Sequence, residues 1–168
     1  MTYNEFQNKH LGKRVRTATD LPNRYECVAL IKQYMLECFG VQLGAYGNAI
    51  NYWNNPHPNI LKKFSKISSK TPKQGDIIIL NQAMPYGHIA IAQSAAKMLE
   101  QNGGKGGGTG TGTDAIRIGT IPKNKIIGIL RPKELTMQKY KIVFNDGKKK
   151  TTKELTLEAM KKSLERYY

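Results

Sequence analysis

The sequence predicts an α+β protein: N-terminal helices packed on an antiparallel sheet of about five strands, followed by a small C-terminal β/α appendage. Three observations carry this. Apolar residues recur at three- and four-residue steps between Cys27 and Phe39, the signature of one helical face. From residue 77 to 130 short apolar runs follow one another, each bounded by glycine, proline or small polar residues, as strands are. Helices first and strands afterwards is the order of an α+β plan. Beyond residue 133 the apolar runs thin out into a basic stretch, which places a boundary there: residues 1–133 as the main domain and 134–168 as a basic extension.

Residues 1–16 read as a short helix followed by a basic strip, His10 to Arg16. Thr17–Asn23 is a loop with a turn-like Asp20-Leu-Pro-Asn23. The next helix carries Cys27, Leu30, Ile31, Tyr34, Met35, Cys38 and Phe39 on one stripe and stops at Gly40. Glycines 44 and 47 bracket a tight turn, Asn48–Trp53 forms a short helix, and Pro56 and Pro58 end it, leaving His57 in an exposed loop. Leu61–Ile67 alternates as a loose strand, and Pro72–Asp76 is a turn. Strands follow at 77–80, 87–92, 97–101, 115–118 and 126–130, forming a meander. Seven glycines crowd residues 103–112; the stretch fits neither phosphate-loop spacing and reads as a flexible loop. In the extension, residues 140–144 form a strand, Asn145-Asp-Gly147 a turn, and 156–168 a helix with Leu157, Met160 and Leu164 on one face.

The net charge of +15 predicts attraction to a polyanion. It is spread along the chain, and no Arg-rich arm or aromatic–basic pattern of a nucleic-acid binder is present. The start, Met1-Thr-Tyr-Asn-Glu5, has no apolar run of a signal peptide, and no segment is long and apolar enough to span a bilayer, so membrane insertion is not expected. Cys27 and Cys38 lie eleven residues apart. On one helix that is about 16 Å, too far for a disulfide. Cys38 reads as a small buried hydrophobe. No paired Cys/His spacing supports a metal site, and no cofactor is expected.

Cys27 is different because it begins its helix. The helix N-terminus carries a partial positive charge and unpaired N–H groups, a field that favours the thiolate nucleophile. Strand periodicity supplies partners. A hairpin centred near Ala95 puts His88, Glu100 and Asn102 on one face. The small Ala90 and Ala92 on that face leave room for the Cys27 helix to dock. This constellation predicts Cys27 as nucleophile, His88 as base, and Glu100 or Asn102 as the group that orients the imidazole. The backbone N–H of Cys27 is the expected oxyanion donor. Tyr25, Glu26, Trp53 and Tyr86 are candidates for substrate contact.

Glu26-Cys27-Val-Ala-Leu30, Gly47-Asn-Ala-Ile-Asn-Tyr-Trp53, Gln74-Gly-Asp-Ile-Ile78, Gly87-His-Ile-Ala-Ile91 and Glu100-Gln-Asn102, in this order over roughly residues 10–132, resemble the CHAP family of cysteine, histidine-dependent amidohydrolases/peptidases. The resemblance implies a papain-like fold and cleavage of amide bonds in bacterial peptidoglycan, at N-acetylmuramoyl–L-alanine bonds or peptide cross-bridges. It implies a phage endolysin or virion tail-associated lysin acting at the wall, with peptidoglycan, anionic wall polymers and other phage tail proteins as partners. The alternative it leaves open is a structural or binding component of a phage tail on the same fold. Two departures stand out. Glu26 replaces the glutamine of many members, and an inward carboxylate there would oppose the thiolate. Ala29 replaces the aspartate that serves as a calcium ligand in some members, which leaves only Asp20 upstream; no calcium requirement is expected.

Overall fold

The computed structural model describes residues 1–18, 24–82, 84–103, 112 and 114–133, and the strand backbones of 140–145 and 150–155. The Asp20–Asn23 turn, most of the glycine-rich loop, the Asp146–Gly147 turn and the 156–168 helix lie outside the described residues. The chain divides into two compact units, Met1–Lys133 and Glu134–Tyr168.

The first unit opens with α1 (Tyr3–His10), started by a capping box in which Thr2 and Glu5 each bond the other's backbone N–H. Helix α2 (Cys27–Phe39) ends at Gly40, which takes the left-handed conformation that closes a helix without a Cβ clash. Phe6 and Tyr3 of α1 meet the Tyr34 ring edge-on, and Glu37 of α2 pairs with Lys9 and His10 of α1. Helix α3 (Asn51–Asn54) is one turn long. Pro58 does not merely end it: proline suits the first position of a helix, and α4 (Pro58–Lys63) begins there, with His57 half-buried and accepting the Asn59 N–H as its cap. The loose strand expected from Leu61 is therefore shortened to β1 (Phe64–Ile67).

Strands β2 (Ile77–Leu80), β3 (His88–Ala92), β4 (Lys97–Glu100) and β5 (Arg117–Thr120) form the meander. Strand β6 (Ile126–Pro132), reached through a 3-10 turn at Lys123–Lys125, does not continue it. It returns to pair with β2 and carries β1 on its outer edge. Among the described residues the antiparallel order is β1-β6-β2-β3-β4-β5. The second unit contains the antiparallel hairpin β7 (Tyr140–Asn145) and β8 (Lys150–Leu155).

Side-chain alternation divides the sheet into two apolar faces. Ile77, Ile79, Ile89, Ile91, Leu99 and Leu130 pack with Leu30, Ile31, Tyr34 and Met35 of α2. Ile78, Leu80, Ala90, Ala92, Met98 and Ile129 form a separate cluster, capped by Ile121 and Ile126. The expected docking of α2 over Ala90 and Ala92 is thus corrected: the helix lies on the isoleucine face. Both faces of β3 are apolar, so periodicity does not choose between them; bulkier side chains fill the space beneath a helix more completely. Each fully buried Leu or Ile contributes roughly 1.5–3 kcal/mol by leaving water.

The turn before β2 is pinned by a buried ion pair. Asp76, 1 % exposed, accepts from Lys73 N at 2.7 Å and from Arg131 Nε and Nη2 at 3.0 and 2.7 Å. Asp76→Ala leaves the Arg131 charge without its partner, and we expect it to cost about 3 kcal/mol, the range for breaking a buried pair. The midpoint of urea unfolding measures this; a loss below about 1 kcal/mol would show that solvent replaces the carboxylate.

Candidate active site

Cys27 is the first residue of α2, so its N–H is among those with no acceptor inside a helix. Its side chain is half-buried and is a free thiol. His88 begins β3 and is 2 % exposed. Gly87, at φ +74°, permits the sharp entry: a Cβ there would stand 3.2 Å from Ile50 N, and Ile50 N donates to Tyr86 O at 3.0 Å. This close approach packs the segment before α3 against the start of the histidine strand.

The hairpin register is the expected one, with Ile91 opposite Leu99 and Ala92 opposite Met98. Glu100 consequently shares a face with His88, and its Oε2 lies 3.1 Å from His88 Nε2. The Cys27 thiol is near enough to the same imidazole to favour its protonated form. With Nε2 engaged by Glu100, Nδ1 is the nitrogen left for sulfur. Burial by itself would push His88 down, but the hydrogen bonds and charges of Cys27 and Glu100 outweigh it and raise His88 from 6.5 to about 9. Glu100 is itself gripped from behind: Arg117 of β5, its direct cross-strand partner, places Nε and Nη2 at 3.2 and 3.1 Å from Oε1.

Asn102 departs from the expectation. Strand β4 ends at Glu100, and Asn102 takes φ +54°, so strand parity no longer directs its side chain. Its amide donates to Glu26 Oε2 at 2.9 Å, and its carbonyl oxygen accepts from Gly112 N at 3.2 Å. Asn102 therefore holds Glu26, while Glu100 holds the imidazole. Glu26 caps α2 with its backbone only; its carboxylate is half-buried, turned to Asn102 and 3.8 Å from Arg24 Nη1. The feared inward charge beside the thiol is thus hydrogen-bonded and faced by a cation.

The other candidates separate. Tyr25 is half-buried, donates its N–H to Gly112 O at 2.8 Å and lies beneath the Arg14 guanidinium at 5.8 Å. Tyr86 is 60 % exposed and lies two residues before His88. Trp53 lies against β6: a Cβ on Gly128 would be 2.4 Å from its ring, and Lys66 Nζ sits 4.4 Å from the ring centre. That is two strands away from His88 in the sheet order. Gln101, absent from the sequence candidates, is fully buried. It bonds both Val15 N and Val15 O and donates to Glu26 O, tying the basic strip to the start of α2. Arg117 was also missed. Its position opposite Glu100 was hidden because residues 101–116 intervene, with a glycine-rich stretch that carries no register signal. Among the described residues no group of three or more His, Cys, Asp or Glu side chains is placed to hold a metal ion, and no helix is long and apolar enough to cross a membrane.

A family model described as "CHAP domain" matches residues 17–102. Among curated proteins none matches the sequence significantly. Among solved structures, the wild-type endolysin LysIME-EF1 superposes with a TM-score of 0.64 at 21% identity, covering 99% of this chain and 84% of that one. Ly7917 gives 0.55 at 19% identity, covering 85% of this chain and 66% of its own. Ly7917 with the hydrolysing product of MDP gives 0.54 at 19% identity, covering 84% and 67%. At these identities the structural likeness speaks for the fold.

Proposed function

The chain belongs to the CHAP family, and from that premise we propose that it is a peptidoglycan hydrolase that cuts an amide bond with Cys27 as nucleophile. The observation that carries the reading is the Cys27–His88–Glu100 group, a thiol and a carboxylate that both act on one buried imidazole. His88 takes the thiol proton; the sulfur attacks the amide carbonyl, and a tetrahedral oxyanion forms. The Cys27 N–H is the donor available to that oxyanion. Imidazolium then protonates the leaving amine, the C–N bond breaks, and a thioester remains. Water, deprotonated by His88, hydrolyses the thioester and returns the thiol. Glu100 keeps the ring in its tautomer and stabilises the imidazolium.

In this reading residues 1–133 are the catalytic domain and 134–168 a separate basic extension. Asn102 supports the nucleophile end through Glu26, and Tyr25, Glu26 and Tyr86 border the reacting thiol and imidazole. Trp53, against Gly128 of β6, is a further candidate for substrate contact. The +15 charge suits an anionic wall rich in phosphate polymers. The likeness to the endolysin LysIME-EF1 supports a phage-borne lysin acting at the wall.

Digestion of purified peptidoglycan followed by mass spectrometry tests the reading. Bare glycans with released stem peptides are the expected products of an amidase, and new amino groups on bridge residues those of an endopeptidase. An unchanged muropeptide profile after prolonged digestion would overturn it.

A further inference from the structure

Glu100 sits in a cradle that extends past the imidazole. Its carboxylate is buried, with Oε2 on His88 and Oε1 held by two nitrogens of Arg117. A carboxylate stripped of water needs both a compensating charge and fixed geometry to remain an oriented anion. The space around it is equally specific. A Cβ at Gly119 would fall 2.3 Å from Oε1, and one at Gly103 would fall 2.0 Å from Oε2. Gly119 and Arg117 lie on the same face of β5, so one strand supplies both the cation and the gap into which the carboxylate fits.

We propose that Arg117 is a positioning residue, holding the Glu100 carboxylate in the one place from which it can orient His88. The proposal rests on the peptidoglycan-hydrolase reading for its biological consequence, although the device is observable without substrate. Arg117 reaches the imidazole through Glu100, whose Oε1 it holds. A surface arginine pairing with an exposed acid contributes little; here the acid is 4 % exposed and its other oxygen is committed to the histidine.

The test compares the full-length protein with Arg117→Gln, Arg117→Lys and Gly119→Ala. The first readout is the downfield proton resonance of the His88 Nε2–H bonded to Glu100, assigned by its loss in His88→Ala. The second is the rate of dye release from labelled peptidoglycan. We expect Arg117→Gln to lose the resonance and at least tenfold in maximal rate, with half-saturating substrate unchanged. Arg117→Lys should restore the resonance and part of the rate. Gly119→Ala, which leaves Arg117 in place and displaces the carboxylate sterically, should match Arg117→Gln. It also keeps the test open if Arg117→Gln fails to fold. Retention of the resonance in either Arg117→Gln or Gly119→Ala overturns the proposal, as does loss of rate without loss of the resonance. If the resonance behaves as expected while the wild-type protein releases no dye, positioning stands and the hydrolase reading falls.

Discussion

Cys27→Ala is expected to abolish lysis of susceptible cell walls, with a rate loss of at least about a thousandfold, the scale on which covalent catalysis fails when its nucleophile is removed. The reason is chemical rather than structural. Cys27 is half-buried at the first position of α2, and alanine is a good helix former, so folding is unaffected. Cys38 is the internal control. It is half-buried towards the other end of the same helix, its sulfur faces Thr2 O at 3.9 Å, and burial pushes its thiol up to about 11. Cys38→Ala should retain lysis. Turbidity loss of a cell-wall suspension measures both variants, and lysis retained by Cys27→Ala would sink the cysteine mechanism.

Glu100→Gln should shift the pH dependence as well as the rate. In the native site burial pulls His88 down, and the partners Cys27 and Glu100 more than reverse it, to about 9. A rate that needs the imidazolium to protonate the leaving amine therefore has its alkaline limb near pH 9. Glutamine keeps a hydrogen bond but removes the anion, so burial regains weight and the limb moves to lower pH. The maximal rate should fall about a hundredfold, the lower range for positioned acid–base catalysis. Stability follows the same linkage. Because His88 is raised above its ordinary 6.5 on folding, its contribution is fully present below about pH 6.5 and disappears as pH rises through about 9. Rate–pH profiles and thermal unfolding between pH 6 and 10 check both statements; a limb that stays in place in Glu100→Gln would exclude this role for the carboxylate.

The site was legible where its signal was local. The stripe from Cys27 to Phe39 identified α2 and its first residue, because helical periodicity is written every three or four positions. The β3–β4 hairpin was legible for the same reason: a short small-residue turn leaves one register, and two-residue alternation then aligns Glu100 with His88. Asn102 followed from extending that alternation past the end of β4, where a left-handed residue breaks it. Arg117 was not legible, since a long glycine-rich connection permits many β4–β5 registers and favours none.

By itself, then, the sequence determined the α+β order, the cysteine at a helix tip and the histidine–glutamate pair, all consequences of periodicities contained within one helix or one hairpin. The tertiary structure alone decided that α2 covers the isoleucine face of β3, that β6 returns beside β2, that Asn102 serves Glu26, and that Arg117 stands behind Glu100. Each of these depends on contacts between segments distant in the chain. Their pairing is chosen by which packing fills the core and neutralises buried charge, and no local pattern records that choice.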